Sequence, residues 1–225
     1  MISRRSVRGT LLSAAVAGSL FVGATGCGGD GDEDGVPDDY KVVAGTQLCG
    51  GDAISADAAK ALKVITGSSR FEASAERYTI GQAATDLVEA FAPTTTEDAC
   101  RVYTPRDMPD FELRITWRLD DSAPTDDPAA SKFTVLKMGE ETLAAVDQAY
   151  IYFACQSDKL FSPTAATHIV IGVEHRDPFH EPEGDTKALK DAYATVAHSV
   201  SLAMAKELRC KNNGGLPTKP VLDPA

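Results

Sequence analysis

Between Phe111 and Leu119 the chain alternates strictly: Phe111, Leu113, Ile115, Trp117 and Leu119 are apolar, with Glu112, Arg114, Thr116 and Arg118 between them. A period of two is the mark of a strand with one face on a core and the other in water. By this parity Trp117 faces the core. Tyr150–Cys155 and Thr167–His175 are rich in β-branched and aromatic residues and read as further strands. A short strand at Cys100–Thr104 and a weaker one at Lys132–Met138 complete the set, and the short loops between them favour antiparallel pairing. Before these strands the period changes to helical. Ser55 is placed to cap a helix that carries Ala58, Ala59, Leu62 and Ile65 on one face and stops at Gly67. Thr79-x-x-Gln82 has the form of a capping box. It opens a second helix striped by Ile80, Ala84, Leu87, Val88 and Phe91, which ends before Pro93. After the strands, Leu189, Tyr193, Val196, Val200, Ala203, Met204 and Leu208 recur at three- and four-residue steps along a helix over 186–209. The expected class is α+β: an antiparallel sheet of about five strands, two early helices and a long C-terminal helix packed on one face.

The cysteines add cross-links to this plan. There are five: Cys27, Cys49, Cys100, Cys155 and Cys210. Cys155 shares strand parity with Ile151 and Phe153 and so points inward. Cys210 lies about 20° around the last helix from Ala203, at 100° per residue, on the same inward stripe. A core strand and a core helix can be bridged across one layer, which suggests Cys155–Cys210 and leaves Cys49–Cys100; the other two connectivities stay open. No two cysteines have Cys-x-x-Cys spacing, so a zinc knuckle is not indicated.

An odd cysteine count draws attention to Cys27. Residues 1–26 carry Arg4, Arg5 and Arg8 and no acid, followed by the apolar stretch TLLSAAVAGSLFVG and the small residues Ala24-Thr25-Gly26. This is the layout of an export signal. Arg4-Arg5 after Ser3 is similar to the start of a twin-arginine motif, with ordinary secretion as the alternative route. Ala24-Thr25-Gly26-Cys27 resembles the bacterial lipobox, although Ala24 stands where that motif usually has leucine. The resemblance implies cleavage before Cys27, a lipid on its thiol, and four remaining cysteines free to pair in an oxidising compartment. Two or more acyl chains hold a protein firmly on a membrane.

Residues 28–39 read GGDGDEDGVPDD, a composition that buries nothing and repels itself, so a solvated spacer is the first reading. Within it Asp30, Asp32, Asp34 and Asp38, with Gly35, resemble the extracellular calcium loop DxDxDGxxD, whose oxygens suit a hard cation; Lys41 replaces the usual clamping carboxylate. The expected organisation is a signal peptide at 1–26, a lipidated cysteine and spacer at 27–40, an extracytoplasmic domain at 41–215 and an irregular tail at 216–225.

Charge narrows the function. The 225 residues hold 33 acids and 22 bases; losing Arg4, Arg5 and Arg8 leaves 19 bases, a net charge of −14. Such a chain is poorly suited to nucleic acid and is repelled by an anionic membrane surface, so a tether must hold it there. Gly-x-Ser-x-Gly, His-Glu-x-x-His, the phosphate-binding glycine loop and the dinucleotide fingerprint are all missing from the sequence. His175, His180, Glu181 and Glu183 cluster in a segment broken by Pro178 and Pro182, which reads as an ordinary polar loop rather than a metal site. His168 on a strand and His198 on the polar side of the last helix read as structural or solvated. No cofactor is indicated. Arg114 and Arg118 share a wet strand face, and Tyr150 and Tyr152 share one parity on theirs. If those strands are neighbours, two cations and two aromatics form a patch suited to an anionic or aromatic ligand.

The export signal ending in Cys27, the acidic glycine spacer and the four later cysteines in an α+β domain resemble the actinobacterial cell-envelope lipoproteins of unknown function. They resemble more loosely the two-disulfide extracellular sensor domains of mycobacterial receptor kinases. The resemblance implies the outer face of the cytoplasmic membrane and a non-catalytic binding or sensing role. The ligand, or a partner envelope protein, would sit on the Arg114/Arg118/Tyr150/Tyr152 face or in a groove beside the last helix. A structural or accessory envelope protein is the alternative, and a hydrolase built from scattered residues a third.

Overall fold

The structure is a computed structural model; it describes residues 41–225 apart from 76, 91–94, 107, 126, 162 and 176–181. The described chain runs β1 (Val42–Ala44), a short 3₁₀ segment (Gly45–Gly50), α1 (Ala56–Thr66), β2 (Arg70–Glu72), α2 (Ile80–Glu89), β3 (Glu97–Tyr103), β4 (Glu112–Asp120), β5 (Thr134–Leu136), β6 (Glu141–Ala144), β7 (Gln148–Cys155), β8 (Thr167–His175), α3 (Thr186–Glu207) and a second 3₁₀ segment (Lys211–Gly215). The class is α+β. The main sheet has six strands in the order β3-β4-β8-β7-β6-β5, and β1 and β2 form a separate pair. Every pairing is antiparallel. The pair β1 and β2 is not anticipated from the sequence, and the main-sheet strand missing from that reading is β6. Its four residues, Glu-Thr-Leu-Ala, hold too little periodicity or β-branching to announce a strand; pairing with β5 and β7 makes it one.

The helices begin and end as local chemistry dictates. The Ser55 hydroxyl accepts from the Ala58 amide at 3.2 Å, and Gly67 at φ 75° closes α1. The Thr79 hydroxyl accepts from the Gln82 amide at 3.2 Å, but the capping box is only half formed. The Gln82 side chain reaches forward to Asp86 at 2.8 Å instead of back to the cap. The end of the Phe91 stripe lies outside the described residues.

Register puts the apolar parity of every long strand on one face. Ile115, Trp117 and Leu119 on β4 stand opposite Val173, Ile171 and Ile169 on β8, which in turn face Ala149, Ile151 and Phe153 on β7. All nine are buried. α3 packs against β6, β7 and β8 and is itself covered by α1 and α2. Enclosed in this way, the middle of α3 is buried nearly all round. Small residues, Ala192, Ala194, Ala197, Ser199 and Ser201, let its neighbours approach. Ser199 stitches α3 to the loop before α1: its hydroxyl donates to the Ala53 carbonyl and accepts from the Ser55 amide, both at 2.8 Å.

Both disulfides form as the parity argument suggests, Cys49–Cys100 with Cα atoms 5.5 Å apart and Cys155–Cys210 with 4.9 Å. The tail after 215 has no helix or strand of its own, yet it belongs to the packed domain. Leu216 is in the core, the Val221 amide donates to Met138 Sδ at 3.2 Å, and Pro224 bridges Leu136 on the sheet edge. No described helix is long and apolar enough to cross a membrane.

Candidate functional site

The second face of the sheet carries the side chains singled out from the sequence. β4 and β7 are not neighbours; β8 lies between them. The rows across the three strands are Arg114–Glu174–Gln148, Thr116–Gly172–Tyr150 and Arg118–Val170–Tyr152. Arg118 nevertheless spans β8. Its guanidinium donates to the Tyr152 hydroxyl at 3.2 Å, lies 5.7 Å from that ring's centroid and is 3.0 Å from the Asp120 carboxylate. Tyr150 lies against Gly172, where a Cβ would stand 3.1 Å from the ring and 2.6 Å from Thr116 Oγ1. Only glycine leaves room for this row. The Tyr150 hydroxyl donates to Glu174 at 2.7 Å, and burial, reinforced by that carboxylate, raises its pKa well above the ordinary value.

Arg114 is turned the other way, towards β3. The β3–β4 register slips between Asp98 and Cys100. This bulge changes the parity of the strand, so that Asp98 and Arg101, three apart, share the polar face while Cys100 turns inward to its disulfide. Asp98 receives Arg101 through Nε at 2.9 Å and Nη2 at 2.6 Å, and Arg114 through its Nε. Burial pushes the Asp98 carboxyl up, but the two guanidiniums outweigh it and hold the pKa below 3.8. Arg101 also lies 3.4 Å from Glu112 and 5.5 Å from the centroid of Tyr78.

The four residues of the anticipated patch therefore share a face, but each is tied to a partner on the same face: Arg114 to Asp98, Arg118 to Asp120 and Tyr152, and Tyr150 to Glu174. Asp98 and Glu174 were missed from the sequence because only the bulge and the position of β8 bring them to the two candidate groups.

A concave site lies elsewhere, beside α3. A cleft of about 450 Å³ opens between the N-terminal end of that helix, edge strand β5 and the C-terminal tail. Leu136, Ala144, Leu222 and Pro224 give it an apolar lining, and Lys187 and Lys190 stand among the helix residues along it. Lys187 is paired with Asp191 at 2.6 Å; the Lys190 ammonium donates to the neutral Thr134 hydroxyl at 2.9 Å. The size and the mixture of apolar lining with a few polar groups suit a small molecule.

The histidines divide. His168 Nδ1 is 2.9 Å from Glu140 at the surface. His175 stacks on Phe111 with centroids 4.1 Å apart. His198, expected on a polar helix face, is instead only 3 % exposed, because the tail covers that side of α3. Cys27, Asp30, Asp32, Asp34, Asp38, His180 and Glu181 lie outside the described residues. Among the described residues no three metal-ligating side chains gather into a metal-sized cluster. No protein-family model, curated protein or solved structure matches the chain.

Proposed function

We propose that this chain is a membrane-tethered extracytoplasmic binding or sensing module that holds a small ligand in the cleft beside α3. The observation that carries the binding role is the cleft itself, a concave, largely apolar space on a scaffold braced by two disulfides. The tether is supported by cysteine arithmetic. Four cysteines are consumed in pairs, and Cys27 is left over directly after the small residues that resemble a lipobox. Disulfides that brace a fold belong in an oxidising compartment, and an acidic chain needs a lipid to remain at an acidic surface. The organisation shared with actinobacterial envelope lipoproteins points the same way.

Two measurements test the two halves. Cells fed an alkyne fatty acid should label the protein, and Cys27→Ser should abolish the label; an unlabelled wild type removes the tether. Native mass spectrometry of protein purified from its own envelope should show bound small molecules that are lost when Leu222→Trp fills the cleft. Equal occupancy of the two proteins would refute the cleft as the site.

A further inference from the structure

The nine residues from Pro217 to Ala225 lie along α3 and the β5 edge as a strap with no secondary structure of its own. Val221 and Leu222 pack half-buried against the core, and among the described residues the strap's polar fastenings are few. The Val221 amide donates to Met138 Sδ, the Ala225 amide donates to the Val135 carbonyl at 2.9 Å, and Pro224 bridges Leu136. The remaining one is a buried histidine: His198 Nε2 is 2.8 Å from the Pro217 carbonyl oxygen. A carbonyl oxygen only accepts, so Nε2 carries the proton and Nδ1 is bare.

A second proton on His198 would create a cation on a ring that is only 3 % exposed. Burial lowers the pKa of this ring below 6.5, and the Pro217 carbonyl opposes that shift without cancelling it; among the described residues no charged side chain on α1, α2, α3, the sheet or the strap contributes to it. The closed arrangement is therefore fully stable above pH 6.5 and weakens as pH falls below it. A protonated ring has two ways to reach water. Unwinding α3 would break a 22-residue helix packed on the sheet and on α1. Lifting the strap breaks only those few polar contacts and the half-buried packing of Val221 and Leu222 against the core, and the segment held by the fewest contacts opens first.

We infer that His198 is a proton-operated clasp: mild acidification releases the C-terminal strap from α3 and β5, opening one wall of the cleft and freeing the edge of the sheet. Leu222 and Pro224 form that wall, so a ligand held in the cleft would lose part of its enclosure when the strap lifts. The clasp does not depend on what the cleft binds, and its test needs no ligand.

The test is ¹⁵N relaxation of the protein between pH 7.5 and 5.0. The Val221 and Ala225 amides should pass from rigid, with order parameters of about 0.85, to flexible, below about 0.6, while Ile171 in the sheet stays rigid. The midpoint should coincide with the His198 titration followed by its ring resonances. His198→Gln keeps a donor at the Nε2 position and removes the titration, so its strap should remain rigid at both pH values. A wild-type strap still rigid at pH 5.0, whether or not His198 has titrated by then, a release midpoint away from that of His198, or equal release in His198→Gln would overturn the clasp. The first two readouts use the unmodified protein and stand even if the variant folds poorly.

Discussion

Removing the Cys155–Cys210 bridge by the double substitution Cys155→Ala and Cys210→Ala should cost about 4 kcal/mol, and the size follows from the loop that the bridge closes. The two cysteines are 55 residues apart. In the chain-entropy model a loop of that length removes about 14 cal/mol/K from the unfolded ensemble, about 4 kcal/mol at 25 °C. The Cys49–Cys100 loop, at 51 residues, gives nearly the same figure because the dependence is logarithmic. The two loops do not overlap along the sequence, so the losses should add to about 8 kcal/mol, within the whole stability of an ordinary domain. Urea unfolding of the wild type and each double variant measures this directly. The variants should show lower midpoints and larger m-values, because an uncrosslinked unfolded chain exposes more surface. Melting temperatures should fall by about 8–16 °C, at 2–4 °C per kcal/mol for a domain of this size. The entropic account makes one further demand: the two double variants must lose similar amounts, although one bridge joins β7 to the end of α3 and the other joins the first 3₁₀ segment to β3. A loss below about 1 kcal/mol for either pair, or costs differing severalfold, would refute loop closure as the source.

Asp98→Asn should destabilise by about 1–2 kcal/mol, since two guanidiniums lose a charged acceptor. The folded carboxyl titrates below 3.8, so its contribution is present above that value and lost as pH falls through the folded pKa; the variant's acid-unfolding curve should be flatter there, measured by circular dichroism against pH. Gly139→Ala should cost about 3 kcal/mol or more in chemical denaturation, because φ is +61° and a Cβ would collide with the Tyr152 carbonyl. Trp117→Phe should stay within about 1.5 kcal/mol of the wild type, against 3–5 for Trp117→Ala. The buried indole N–H has no acceptor among the described residues, so losing it relieves a polar group that is not hydrogen-bonded; equal losses for the two variants would contradict this.

The sequence by itself determined what depends on near neighbours. Alternation along Phe111–Leu119 sent Trp117 inward and Arg114 and Arg118 outward. Ser55, Gly67 and Thr79 marked the helix ends because capping uses groups within one turn. Strand parity sent Cys155 inward, and Cys49–Cys100 followed by elimination. The helix angle does not set Cys210: α3 ends at Glu207, and a left-handed turn at Arg209, φ 56°, brings Cys210 to its partner. Tertiary structure alone decided what depends on which distant segments meet. It placed β8 between β4 and β7, so Arg118 reaches Tyr152 across Val170, and it slipped β3 by one residue, so Asp98 could take both Arg101 and Arg114. It also laid the tail over α3, burying His198 on what the sequence reads as the polar side of that helix. Register between strands and the docking of a tail are set by packing energies summed over many residues far apart in the chain, and no short stretch of sequence carries that sum.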